Sequence, residues 1–190
     1  DGTPVLDYVR WVMVHKRDPD SPAPAPHVPE LADAVPAERL ELPANTRFAK
    51  FDTGLTGQPH LFEDFAQGEK IDHVDGMTIE EAEHQMATRL YQNTARVHFN
   101  QHQQSQGRFA RRIVYGGHVI SIARALTFNG LGNAIKVAAI NAGRHTKPCF
   151  AGDTVYAWSE VLETMEIPGR RDVGALRLRT IATKDRTCAD

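Results

Sequence analysis

Two cysteines in 190 residues, Cys149 and Cys188, are too few for a disulfide framework and lack the spacing of a metal site. Their scarcity fits a reducing compartment, so a cytoplasmic protein is expected. An excess of charge of one sign is also missing. Lys and Arg number 22 against 24 Asp and Glu, for a formal net charge of −2, and the basic residues are scattered. Such a chain offers no surface for tracking phosphates, which argues against nucleic acid as a partner. No apolar run approaches the roughly 20 residues that cross a bilayer, and residues 1–14 lack the charged-then-apolar layout of a signal peptide. The chain reads as soluble, with no membrane partner.

Proline is abundant in one place only. Seven of the eleven prolines fall between Pro19 and Pro43, in a stretch with neither helical nor strand period. Before it, PVLDYVRWVMVH reads as a long, largely buried strand ending at Lys16-Arg17-Asp18-Pro19. A strand needs hydrogen-bonding partners, so residues 1–17 are expected to be the last strand of a preceding unit, with 18–59 as a proline-rich linker and 60–190 as the main domain. Within that domain IDHVDGMTI suggests a strand. Thr78 and Glu81 have capping-box spacing, placing a helix start at Ile79, with Ile79, Ala82, Met86 and Leu90 as its apolar stripe. HVISIARALTFNGLG is the strongest helical segment and should end at Gly130 or Gly132. Three alternating segments follow, AIKVAAINAGRHTKP, DTVYAWSEVLETMEI and VGALRLRTIATKD, which read as antiparallel strands. Helices followed by a meander give an α+β class.

Several residue groups could carry chemistry. His98 can exchange a proton with water near neutral pH, whereas its bland alternative is a polar histidine on a surface helix. Tyr115-Gly116-Gly117-His118 opens the apolar helix, whose first N–H groups and positive dipole end could hold a developing oxyanion. A tight turn requiring positive φ is the structural alternative. Arg89, Arg96, Arg111, Arg112 and Arg144 are candidates for gripping carboxylate or phosphate, with Arg96 first for its place beside His98 and Arg144-His145 second. His98 and His102 stand four apart, but no glutamate follows His98 in the zinc-protease manner and no third ligand is near, so no metal is expected. Ser121 lacks the context of an esterase nucleophile.

The strings FAGDTVYAWSEVLE and YQNTARVHFN carry a resemblance to the MaoC-type hotdog hydratase family. In hotdog folds a long central helix is wrapped by an antiparallel sheet, and Pro148, Phe150, Gly152, Asp153 and Thr154 resemble the Pro, aromatic, Gly-Asp-Thr pattern of many members. The usual MaoC motif is Gly-Asp-x-Asn-Pro-x-His. Aligned on His98, it puts Asn93 at the catalytic Asp, Ala95 at the Asn and Arg96 at the Pro. The first change matters because an amide cannot exchange a proton as a carboxylate does. Asn93 could still orient water or the imidazole, or it could simply cap the preceding helix.

The longer strings EKIDHVDGMTIEEAEHQMATRLYQNTARVHFN and RRIVYGGHVISIARALTFNGL resemble mesaconyl-CoA hydratases, also called β-methylmalyl-CoA dehydratases, over nearly the whole chain. This resemblance implies the second unit of a tandem double hotdog, lacking a final strand beyond Asp190. It implies reversible hydration of an enoyl-CoA, from mesaconyl-CoA to β-methylmalyl-CoA, with no cofactor beyond the CoA of the substrate. The expected partners are the acyl-CoA, the first hotdog half and, in a homo-oligomer, further copies. Catalysis would fall to His98, Asn93, Gly116 and Gly117, and substrate contact to Tyr91, Arg96, Tyr115, His118, Arg144 and His145. Alternatives are a hotdog thioesterase, whose helix carboxylate is lacking between His118 and Leu131, and a non-catalytic acyl-CoA-binding unit.

Overall fold

The computed structural model describes residues 2, 8, 9, 12–43, 45–48 and 50–188. It divides into two compact units, Asp1–Ala32 and Asp33–Asp190. In the first unit, Lys16 Nζ donates to the carbonyls of Pro19 and Ser21 and closes a turn. Of the strand expected over 1–17, residues 1, 3–7, 10 and 11 lie outside the described residues.

The second unit is α+β. Its sheet has three antiparallel strands in the order β1 (Lys70–Thr78), β2 (Thr154–Glu166) and β3 (Gly174–Lys184). Strand β2 is its centre because β-branched and aromatic residues suit a pleated surface and alternate cleanly. Val155, Ala157, Ser159 and Val161 face inward while their neighbours are half exposed. Pro168-Gly169 reverses the chain into β3, with Gly169 at φ 74°. The β1–β2 register shifts between Asp72 and Gly76, beside Val74 at φ 56°.

Helix α1 (Glu81–Leu90) follows β1, a short α2 (Gln101–Gln104) comes next, and α3 (Gly116–Leu126) lies against the sheet. Ile122 and Leu126 of α3 pack with Ile79, Val114, Val155 and Ala157. Burying each of these larger side chains contributes about 1.5–3 kcal/mol, so this layer is the main source of cohesion. The apolar helix ends at Leu126, short of the expected Gly130 or Gly132, and a last turn, α4 (Phe128–Leu131), is interrupted by Asn129 at ψ 108° and Gly130 at φ 93°.

Three local expectations change. Helix α1 begins two residues later than Ile79, capped reciprocally by Glu80 and Glu83 rather than by Thr78 and Glu81. Ile79 itself is fully buried, while Met86 and Leu90 are 61% and 70% exposed, so the stripe turns outward and His84 and Thr88 take the inner side. Polar residues 81, 84, 85 and 88 share helical spacing with that stripe as a rival face. Tertiary contact decides between them. Third, residues 134–148 form no strand. A strand needs a ladder partner, and here Ile135, Val137 and Ile140 are exposed, tied down only by bonds such as Lys136 Nζ to Glu41 O and Val35 N to Asn141 Oδ1.

Candidate active site

Helix α1 ends in a Schellman motif. Gln92 takes the left-handed position at φ 50°, Asn93 N–H donates to Thr88 O and Gln92 N–H to Arg89 O. Asn93 Oδ1 then accepts from Ala95 N at 2.9 Å, starting the single helical turn Arg96–His98. Asn93 thus closes the helix with its backbone N–H rather than with its amide, whose oxygen is committed to the Ala95 backbone.

His98 is held at three points. Its Nδ1 lies 2.8 Å from Ile113 O, Gln85 Nε2 donates to His98 O at 2.7 Å, and His98 N donates to Ala95 O at 3.0 Å. A carbonyl can only accept, so Nδ1 carries the proton and Nε2 is left with its lone pair. Among the described residues Nε2 has no hydrogen-bond partner, and the ring sits edge-on to Tyr115, 6.0 Å between centroids. A half-exposed, unpartnered imidazole nitrogen in a fixed tautomer is a ready proton acceptor.

Tyr115 leads directly into α3. Its carbonyl accepts from His118 N and Val119 N, and the Gly116 and Gly117 N–H groups have no acceptor among the described residues. Neither glycine has positive φ, so conformational freedom is not what they supply. Space is. A Cβ on Gly117 would come within 2.6 Å of the Tyr115 hydroxyl, and one on Gly116 within 2.6 Å of His145 Nε2. The two glycines thus let Tyr115 and His145 close over the helix start, where N–H groups and the helix dipole favour negative charge.

The fold therefore gathers His98, Tyr115, Gly116, Gly117 and His145, with Tyr91 at 6.4 Å from the Tyr115 ring. His118 points elsewhere, with Nε2 3.2 Å from Glu83 Oε1 on α1. Arg96 and Arg144 are exposed, and among the described residues no hydrogen bond, ion pair or ring contact ties either to this cluster. Sequence reasoning missed the polar face of α1. Glu81 forms an ion pair with Arg112, Glu83 meets His118, Gln85 supports His98, and His84 is buried among them. Burial lowers the pKa of His84, and the nearby His118 and His98 imidazoles add to that effect, so all three rings share one electrostatic neighbourhood. The available signal was the 81, 84, 85, 88 spacing. No three His, Cys, Asp or Glu side chains converge as a metal site among the described residues.

A helix laid on an antiparallel sheet, with the His98 ring edge-on to the Tyr115 ring that precedes that helix, has the architecture of a hotdog unit. The chain belongs to the MaoC-like domain family, whose model matches residues 64–183. It is 64% identical over 186 residues to a β-methylmalyl-CoA dehydratase from Chloroflexus aurantiacus and 59% identical over 188 residues to a mesaconyl-CoA hydratase from Cereibacter sphaeroides. Each alignment covers 98% of this chain and 53% of the relative, so the chain spans about half the length of these curated relatives. Among solved structures, a candidate MaoC-domain dehydratase from Chloroflexus aurantiacus superposes with TM-score 0.86 at 63% identity, covering 92% of this chain and 50% of that one. A Mycobacterium tuberculosis protein with a double hotdog fold matches at TM-score 0.52 and 25% identity, over 79% of this chain and 43% of its own.

Proposed function

We propose that this chain carries the acid–base site of a hydro-lyase that reversibly adds water across the α,β double bond of an enoyl-CoA, with mesaconyl-CoA and β-methylmalyl-CoA as the pair. The observation that carries the reading is the fixed His98 tautomer, its bare Nε2 on a ring 6.0 Å from that of Tyr115, the residue that leads into the unpaired N–H groups of Gly116 and Gly117. His98 Nε2 takes a proton from water as the oxygen attacks the β-carbon. The negative charge moves to the thioester oxygen, where the two glycine amides stabilise it as an enolate. The α-carbon then receives a proton, which His98 can return.

Asn93 has a positioning role in this scheme, because its side chain shapes the turn that presents His98. Tyr91, Tyr115 and His145 would flank the acyl group. The outward apolar stripe of α1, with Met86 and Leu90 exposed, supports a site completed by a second hotdog unit, either the first half of a tandem polypeptide or another copy in a homo-oligomer. The α+β unit would then be the second half of a double hotdog, and the protein cytoplasmic and free of cofactors.

The test is loss of the conjugated-thioester absorbance when the purified protein meets a panel of enoyl-CoAs, mesaconyl-CoA included. Hydration that disappears in His98→Ala supports the reading. An inert wild type that still binds CoA esters would replace it with the non-catalytic binding unit, which Asn93 in place of a carboxylate also favours.

A further inference from the structure

Residues 111–116 and 145–150 run side by side in opposite directions. The His145 ring lies against Gly116, Cys149 O accepts from Val114 N at 2.8 Å, and the Arg111 guanidinium lies 4.0 Å from the centre of the Phe150 ring. One end of this ribbon is the reacting end, at His98 and the glycines. The other is cationic and aromatic. There Arg108 stacks over Phe109 at 5.1 Å, Phe109 meets Phe150 at 5.4 Å, and Lys184 lies 5.3 Å from the Phe150 ring.

The charges at this end are not equivalent. Lys184 is bound to Asp153 Oδ2 at 2.7 Å, and Asp185 Oδ1 accepts from Thr154 N. Arg108 and Arg111 are exposed and have no ion pair among the described residues, although the neighbouring Arg112 is paired with Glu81. A guanidinium held over an aromatic ring by a cation–π contact keeps N–H donors available for forked bonds with phosphate oxygens. Phe109, 39% exposed, offers an aromatic face beside them. Five residues of chain span at most about 18 Å, which is within reach of a pantetheine arm.

We infer that Arg108 and Arg111, braced by Phe109 and Phe150, form the subsite for the phosphate-bearing nucleotide end of CoA, with the thioester at the opposite end of the ribbon. The inference rests on the acyl-CoA reading above and adds where the carrier is gripped. Without these two arginines the protein should lose its preference for CoA over the phosphate-free arm.

Calorimetric titration of the purified protein with CoA, dephospho-CoA and pantetheine tests this apart from turnover. Wild type should bind CoA well above pantetheine, and added salt should erode the difference. Arg111→Gln and Arg108→Gln should each weaken CoA binding about tenfold, the double variant should bring CoA close to pantetheine, and Arg111→Lys should fall between. Unchanged melting temperatures would show that the exposed substitutions leave the fold intact. Equal CoA affinity in wild type and the double variant, or no CoA binding by wild type, overturns the subsite. A wild type that hydrates no enoyl-CoA yet shows the arginine-dependent CoA preference removes the hydratase reading and leaves this one standing.

Discussion

His98 and His73 are pinned in the same way and differ in what their second ring nitrogen meets. Each ring donates Nδ1–H to a backbone carbonyl, Ile113 O at 2.8 Å for His98 and Asn129 O at 2.7 Å for His73. Around His98 the second nitrogen is open. His73 is fully buried, and its Nε2 accepts from the Ser159 hydroxyl at 2.8 Å, which is itself 2.8 Å from Thr180 Oγ1. Asn129 returns a bond from its Nδ2 to His73 O, so the kink after α3 is tied to β1 at two points. Residue type therefore does not mark the histidine proposed for catalysis. What sets it apart from His73 is a ring pinned at Nδ1 whose Nε2 has no hydrogen-bond partner among the described residues.

The sharpest way to break this comparison is to remove each ring. His98→Ala should lower turnover by about 10²–10⁴-fold, the usual contribution of a positioned proton-transfer group, with a denaturant midpoint close to wild type. His73→Ala should do the reverse. It opens a space between β1, β2 and α4 and deprives Ser159 and Asn129 O of their buried partner, so a loss of about 3–4 kcal/mol is expected by urea unfolding. A His73→Ala protein as stable as wild type, or a His98→Ala protein as active, would show that the open nitrogen is not the distinguishing feature.

The sequence pointed to the residues of the candidate site more readily than to their surroundings. His98, the glycine pair and Tyr115 are neighbours along the chain or sit at a helix start, so local pattern places them. The β2 and β3 strands were legible for the same reason. His73 was invisible because its partners stand 56 and 86 positions away. The orientation of α1 was misread because two stripes compete at helical spacing, and only packing selects the one bearing His84 and Thr88. Residues 134–148 have the alternation of a strand, yet alternation cannot supply the neighbouring chain that a ladder requires.

A change of pH tests the buried side of the comparison more gently. Burial, the largest cause in both cases, lowers the pKa of His73 and His84 below the ordinary value near 6.5. In the unfolded chain both would titrate at that ordinary value. Below it the unfolded state binds more protons, so stability is full above about pH 7 and falls as pH drops through 6.5 toward the lowered folded values. Urea midpoints should therefore decline between pH 7.5 and 5.5, and His84→Gln should make the decline shallower. A midpoint that rises on acidification would contradict the burial of both rings in neutral form.

The smallest expected effect is at Asn93, where the chain departs from the usual MaoC carboxylate. Asn93→Asp keeps an oxygen where Ala95 N–H now donates, so the turn presenting His98 should survive and stability should change by less than about 1 kcal/mol. If the side chain only shapes that turn, hydration should persist at a similar rate, and a negative charge near His98 would favour the imidazolium formed during proton transfer. If the Asn93 amide N–H₂ instead donates to an anionic acyl group, the carboxylate removes a donor and adds repulsion. KM for a dicarboxylic enoyl-CoA should then rise while that for crotonyl-CoA stays the same. Measuring both substrates separates the outcomes, because a positioning residue alters turnover of the two alike, whereas a substrate contact alters only the charged one.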